Sequence, residues 1–227
     1  MPNASRAAQR PAEPTDPDRG TSEDEDDLPS GWRHSNGWIF GVMLVAAALS
    51  LLGSFVLSND AVILAGNKNA ALTCNVNAVI SCGTVGNSWQ AALLGFPNAF
   101  LGVAFAPVVM TIAVAGMVGV RFPRWFMLGA QLMYTIALGF AYWLFSQSMF
   151  VIGALCPWCL LVMLATTVSF ATLLHANVLQ DNLYLPRRLQ RRLLEMVRSD
   201  VDAYLLVTWI VLLAASIVLK YGSRLLA

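Results

Sequence analysis

Charge is what this sequence has least of. Only 12% of its 227 residues are charged, against about 25% in a soluble domain. The deficit is uneven: eight of the 13 acidic residues precede Pro29, so the rest of the chain is nearly free of acid. With 57% hydrophobic residues, such a chain cannot be a water-facing globule. It also lacks any concentrated basic tract with interleaved aromatics in a water-facing domain, which sets nucleic-acid binding aside. Cysteine is scarce too, at four residues, and histidine scarcer, at two.

What the chain does have is long apolar runs. About 20 residues are needed to cross the hydrocarbon core as a helix. Five stretches reach or approach that length: about 38–57, 98–120, 125–146, 150–174 and 203–219. One such run could be a buried core helix; five in succession with short connections predict an all-α membrane protein. The expected architecture is a four-helix transmembrane bundle plus a fifth transmembrane helix. No span carries an ionisable group in its middle, which argues against a small transporter. Small-residue groups, Ala46-Ala47-Ala48 and Gly116-x-x-Gly119, predict close helix packing, and Pro107 predicts a kink.

Residues 1–33 read as a disordered tail, rich in Pro, Ala, Arg and acid, with the run Glu23-Asp24-Glu25-Asp26-Asp27. So long a polar stretch does not fit the short basic region that opens a signal peptide. Lys and Arg in short loops set orientation. Arg121 and Arg124 follow the second span; Arg187, Arg188, Arg191, Arg192 and Arg198 follow the fourth. These loops are expected in the cytoplasm with the N-terminal tail, and the C-terminus outside, although Lys220 and Arg224 oppose the rule mildly. Leu185, Leu189, Leu193 and Met196 recur at helical spacing among arginines, which suggests a basic surface helix on the anionic leaflet or a plain topology signal. Asp200 and Asp202 are expected to cap the fifth helix, and His175 to cap the end of the fourth; His34 reads as solvated.

Between Ser58 and Pro97 the chain is too polar to span, and this outer loop holds Cys74 and Cys82 with seven residues between them. Trp89–Leu94 can form a short helix capping the bundle, with Trp89 at headgroup depth. On the loop alone, the two cysteines fit either a static disulfide or a cycling pair. The second pair changes the balance. Cys156-Pro-Trp-Cys159 lies at a helix start near the outer side, where free backbone N–H groups favour a thiolate and Pro157 suits the first turn. Four thiolates could also bind zinc. A buried apolar pair and a widely spaced loop pair fit that poorly, so no metal is expected. A relay fits better. Sustaining a strongly oxidising partner at about −120 mV rather than about −270 mV needs about 7 kcal/mol of extra driving force. A lipid-soluble quinone (menaquinone or ubiquinone) can supply it; the cytosolic thiol pool cannot.

In this order of cysteines the chain resembles the vitamin K epoxide reductase family over about residues 37–174. The resemblance rests on Cys74 and Cys82 in the outer loop, Ser88, Trp89, the Gly95-Phe-Pro-Asn98 to Gly102 stretch, and Cys156-Pro-Trp-Cys159. The other quinone-linked thiol oxidases, the Dsb-type four-helix proteins, place their Cys-x-x-Cys in the first outer loop. The resemblance implies that residues 34–175 are the catalytic core, joined by a basic cytoplasmic connection, 176–202, to a fifth helix and outer C-terminus, 203–227. It implies that Cys159 faces the quinone, Cys156 exchanges with Cys82, and Cys74 resolves that bond and meets the partner. Ser88 would lie at the quinone mouth and Asn98 would hydrogen-bond the quinone; both could instead be helix caps. Phe96, Phe100, Phe105, Tyr134 and Tyr142 would line a quinone pocket or simply pack. Many bacterial members carry a fused thioredoxin-like domain after the fifth helix; here a separate extracytoplasmic, DsbA-like thioredoxin-fold partner is expected. Two other functions stay open: reduction of vitamin K epoxide by the same cysteines, and a non-enzymatic scaffold stapled by a disulfide.

Overall fold

The computed structural model describes residues 34–225, apart from residue 78, with side chains to residue 222. The tail expected over residues 1–33 and the Arg224 side chain lie outside the described residues. Among the described residues, five helices are long and apolar enough to cross a membrane. We label the elements α1 (Asn36–Gly66), α2 (Cys82–Gly86), α3 (Ala99–Met117), α4 (Arg124–Gln147), α5 (Pro157–Leu179), α6 (Arg187–Arg198) and α7 (Val201–Leu225). A 3₁₀ turn, Trp89–Ala92, and a π turn, Ser148–Ile152, are also present among the described residues.

Two boundaries differ from the apolar pattern, each for a local reason. α1 does not stop near Leu57 but continues to Gly66. Ser58, Asn59 and Asp60 are polar but do not break a helix, and Ser58 Oγ donates to the carbonyl of Ser54 at 2.7 Å within it. Conversely, α5 begins at Pro157, not near Phe150. Residues 148–152 extend α4 by a π turn that Gly153 closes at φ 74°, a backbone conformation that suits glycine. Pro157 then opens α5 at a position where its missing N–H costs nothing.

Helices α1, α3, α4 and α5 form the bundle, with α1 packed against α3 and α5, and α5 against α4. At one end, which we call the basic end, Phe40 and Met43 of α1, Ile112 of α3, Met127 of α4 and Leu173 of α5 make a buried core. Gly116 lets α3 approach closely, since a Cβ there would meet the Phe40 ring at 2.6 Å. Gly119, expected as its packing partner, instead turns the chain after α3 at φ 84°. α3 runs through Pro107 as one helix.

The basic end is tied by side chains that sequence alone misassigns. His175 does not cap α5: it lies inside that helix, with Nδ1 2.6 Å from Asp202 Oδ2 and Nε2 3.2 Å from His34 Nδ1. Asp202 thus joins the first turn of α7 to α5. Asn177, fully buried, donates to Gln131 Oε1 at 3.1 Å and accepts from Asn182 Nδ2 at 3.2 Å. Gln190 of α6 donates to the carbonyl of Val178 at 2.7 Å. α6 is the expected basic helix, but its inward face is Gln190, Leu193, Leu194 and Val197. Leu189 and Met196 stay exposed beside the arginines.

At the other end, the cysteine end, α7 contributes an anchor. Tyr221 is 1% exposed and clusters with Val79, Met149 and Leu155. Its hydroxyl donates to the carbonyl of Met149 at 3.0 Å, as does Lys220 Nζ. The fifth helix therefore grips the π turn and the strand-like residues just before Cys156.

Candidate functional site

The outer loop is shorter than its polarity suggests, because α1 takes its first nine residues, 58–66. What remains is ordered by its own asparagines and serines. Asn77 Oδ1 accepts from the backbone N–H groups of Val79 and Ile80 at 2.9 and 2.8 Å. Asn75 Oδ1 accepts from Gly83 N–H at 2.9 Å and from Ser81 Oγ at 3.1 Å. Ser81 caps α2 by accepting from Thr84 N–H at 3.2 Å. These local bonds bend the chain so that Cys74 and Cys82 meet: they form a disulfide with Cα atoms 5.7 Å apart.

Two backbone hydrogen bonds then bring the pairs together. Ser81 N–H donates to the carbonyl of Leu155 at 3.0 Å, and Leu155 N–H donates to the carbonyl of Val79 at 2.7 Å. This parallel bridge aligns the cysteine loop with the start of α5. Cys82 stands one residue beyond Ser81, and Cys156 one residue beyond Leu155, the two residues joined by the first of these bonds. The Cys82 and Cys156 sulfurs are 3.3 Å apart, although 74 positions separate the two cysteines in sequence. Cys156 is a free thiol, 2% exposed, and occupies the N-cap of α5, where its Sγ accepts from Cys159 N–H at 3.3 Å. Its thiol is held below the ordinary thiol value. The Cys159 thiol, donating to it, is the main cause, and the N–H groups of Cys159 and Trp158 add to this; burial and the Asp60 charge oppose. A thiol so placed can exchange with the neighbouring disulfide, as attacking thiolate in one direction and leaving group in the other.

Beside the sulfurs lies a cavity of about 620 Å³. Its wall is largely apolar, with Leu57, Leu64, Phe105, Met133, Tyr134 and Phe140, and it includes Cys82, Cys156 and Cys159. The wall also contains Ser88 and Asn98. Neither side chain caps a helix. Ser88 Oγ donates to the carbonyl of Val85 at 2.6 Å. Asn98 Nδ2 donates to the carbonyl of Gln90 at 2.6 Å, which ties the 3₁₀ turn over the cavity. That bond fixes the amide, since the flipped amide would set two acceptors against each other. Asn98 Oδ1 is then buried with no hydrogen-bond partner among the described residues. An orphaned acceptor on an apolar wall would be satisfied by a ligand that donates to it, such as a ring hydroxyl. Of the five aromatics noted in sequence, Phe105 and Tyr134 line the cavity. Tyr142 does not; its hydroxyl sits 3.0 Å from Thr167 Oγ1 and accepts from Trp209 Nε1 at 2.7 Å, tying α4 to α5 and α7.

Sequence reasoning misses Asp60 and Ser54. Asp60 lies in the added turns of α1, on the cavity wall, with Oδ2 3.8 Å from Cys74 Sγ. Ser54 lines the same cavity, and its buried Oγ has no hydrogen-bond partner among the described residues. Neither carries a motif; Asp60 is visible only as the one acid between Pro29 and Asp181. Ligand atoms of Asp60, Cys74 and Cys82 lie within 4.8 Å of one another. The two sulfurs are bonded to each other here, so they present no thiolate pair to a metal.

Residues 41–174 match the sequence model of the Vitamin K epoxide reductase family. The chain belongs to that family. The match contains all four cysteines and runs from α1 into α5, so this member of the vitamin K epoxide reductase family adds α6 and α7 beyond the shared region. No curated protein matches the sequence. Membership makes the protein a membrane thiol–disulfide oxidoreductase, and the geometry gives that chemistry its sulfurs: one disulfide, one poised thiol, and a second thiol on the cavity wall.

Proposed function

We propose that the protein is a quinone-dependent thiol oxidase that re-forms the disulfide of an extracytoplasmic thioredoxin-fold partner. The observation that carries this is the Cys156 sulfur 3.3 Å from the loop disulfide, with Cys159 on the wall of an apolar cavity. The sulfurs alone would allow any thiol chemistry; an apolar cavity among membrane-crossing helices favours a lipid-soluble acceptor.

In this reading, the partner's dithiol attacks the Cys74–Cys82 disulfide through Cys74, and the partner leaves oxidised. The reduced loop then passes its electrons on. Cys82 attacks Cys156 of the Cys156–Cys159 disulfide and frees the Cys159 thiol. Cys74 next attacks Cys82, restoring the loop disulfide and freeing Cys156. The arrangement of one loop disulfide and two α5 thiols is the product of this last step. A bound quinone would accept two electrons and two protons, so that the α5 disulfide can re-form. The second Nδ2 hydrogen of Asn98 would donate to a quinone ring oxygen, Asn98 Oδ1 and Ser88 Oγ would accept from the hydroxyls of the quinol formed, and the cavity wall would exclude water.

The bridge between Val79–Ser81 and Leu155 has a clear part in this scheme. It sets Cys82 against Cys156, while Cys74, itself buried, would be reached by the partner through a shift of the loop. The basic end, with Arg121, Arg124 and α6, would face the cytoplasm, which puts the cysteine end and the C-terminus outside. Residues 34–175 would form the catalytic core, and 176–202 the cytoplasmic connection to the fifth helix.

Two assays test this. The purified protein in lipid nanodiscs should convert dithiol to disulfide with one quinol formed per disulfide; thiol oxidation without quinol, or activity only with a vitamin K epoxide as acceptor, would overturn the quinone reading. In cells, Cys82→Ala should accumulate a mixed disulfide between Cys74 and an extracytoplasmic thioredoxin-fold protein. A Cys74 that is never captured would remove the partner.

A further inference from the structure

Every exchange step needs a thiol to lose its proton, and in an apolar end of a membrane bundle bulk water is a poor acceptor. Cys156 has a helix N-terminus to favour its thiolate. The loop cysteines have no such aid: α2 is a single short turn, and Cys74 precedes it. What they have is Asp60.

The Asp60 carboxylate oxygen is 3.8 Å from Cys74 Sγ, and it lies with both loop sulfurs inside a 4.8 Å cluster. Sulfur's large radius makes the shorter of these a hydrogen-bond contact once Cys74 carries a proton. The ion pairs of the described residues, Arg124–Asp181 and His175–Asp202, do not include Asp60. The charged group that shares its cavity wall is Lys68, just past the end of α1; the titratable groups there are Tyr134 from α4, Cys156 and Cys159 from α5, and Cys82 from the loop. An acid on a membrane-crossing helix is costly to keep unless it is used. This one sits where a reacting sulfur needs a proton acceptor and where the cavity holds the thiol that receives the proton.

We propose that Asp60 is a catalytic proton carrier for the loop cysteines, an inference that rests on the relay above. In the resolving step Asp60 takes the proton of Cys74. The Cys74 thiolate attacks Cys82, the Cys74–Cys82 bond forms, and the Cys82–Cys156 bond breaks. Cys156 leaves with the electron pair and takes the proton back from Asp60 across the cavity wall. One thiol is exchanged for another, and no electrons are lost. When the partner later opens the loop disulfide, the same carboxylate takes the proton of the partner's attacking thiol and returns it to the leaving Cys82 sulfur.

The proposal has a sign that a purely electrostatic role lacks. A carboxylate that only sat beside the sulfurs would disfavour their thiolates, so its removal would speed exchange. Loss of a proton carrier slows it, on the order of 10²-fold for one general acid–base group.

The test uses the full chain in nanodiscs, fully oxidised and given one equivalent of dithiothreitol. Acid quenching, maleimide labelling and peptide mapping time the appearance of free Cys156 and Cys159 with the Cys74–Cys82 disulfide restored. Asp60→Asn should slow that transfer on the order of 10²-fold, and Asp60→Glu should recover most of it. Wild-type speed or faster in Asp60→Asn would overturn the proposal. If Asp60→Asn fails to fold, the wild-type pH–rate profile decides. A rate strictly proportional to hydroxide throughout would mean that water, not Asp60, takes the proton. Quinol yield is measured in parallel. A wild type that makes no quinol but still needs Asp60 for transfer would end the quinone reading and keep this one; normal quinol yield with Asp60-independent transfer would do the reverse.

Discussion

The two ends of the bundle are held by different means. At the basic end, α4 to α7 are joined by buried side-chain hydrogen bonds through Asn177, Gln131, Asn182 and Gln190, and by the His175–Asp202 pair. At the cysteine end the loop is joined to α5 chiefly by two backbone hydrogen bonds and by sulfur contacts. Buried polar networks specify one arrangement and resist change. A short bridge in an apolar setting allows sulfur atoms to trade partners with small shifts. The comparison assigns stability to one end and reactivity to the other, and substitutions can separate them.

The largest effect is expected at the sulfurs. Cys82→Ser or Cys156→Ser should lower thiol-dependent quinol formation on the order of 10³-fold or more, because each removes the covalent path and not a supporting contact. Thermal stability should change little by comparison. Activity kept within a few-fold would return the loop disulfide to a structural role.

Next is the α7 anchor. Tyr221→Ala removes a buried ring from the cluster of Val79, Met149 and Leu155, at a cost of about 3–5 kcal/mol by analogy with other aromatic truncations. Tyr221→Phe keeps the ring and loses only the bond to Met149, about 1 kcal/mol. If the anchor positions Cys156, the Ala variant should slow loop-to-α5 exchange while the Phe variant keeps the near-normal rate. Equal slowing in both would tie the effect to the hydroxyl.

The converse test lies at the other end. Asn177→Ala leaves Gln131 and Asn182 short of partners and should cost about 1–3 kcal/mol. A lower melting temperature with an unchanged exchange rate is expected; a slowed rate would show that the ends are coupled.

The smallest effect concerns pH. The Cys156 thiol is held below the ordinary value, first by the Cys159 thiol. Its alkylation by a small reagent should therefore begin at lower pH than that of a free cysteine, and Cys159→Ala should shift the profile upward. A profile unchanged by Cys159→Ala would separate the two thiols.

Much of this is legible in sequence. The five spans stand out because uncharged apolar runs of about 20 residues belong to membrane-crossing helices far more often than to soluble cores, and Cys156-Pro-Trp-Cys159 announces its helix start through Pro157. Other features are not legible. The end of α1 is hidden because Ser58-Asn59-Asp60 looks like a loop to a hydropathy reading, while a helix ends only when its backbone does. Asp60 is hidden with it. The bridge joining Val79, Ser81 and Leu155 depends on backbone atoms, which carry no residue signature. His175 reads as a cap because its partners, Asp202 and His34, lie 27 and 141 positions away. Asn98 does stand at the start of α3, but only the structure shows its amide turned to Gln90 and its oxygen left over.

The central claim is that Cys82 and Cys156 exchange directly. The double variant Cys74→Ser with Cys159→Ser leaves these two as the only cysteines in the sequence. Mass spectrometry of the non-reduced protein, after brief exposure to a mild oxidant in nanodiscs, should find a Cys82–Cys156 disulfide in nearly every molecule. Two free thiols persisting in the folded protein would contradict the account.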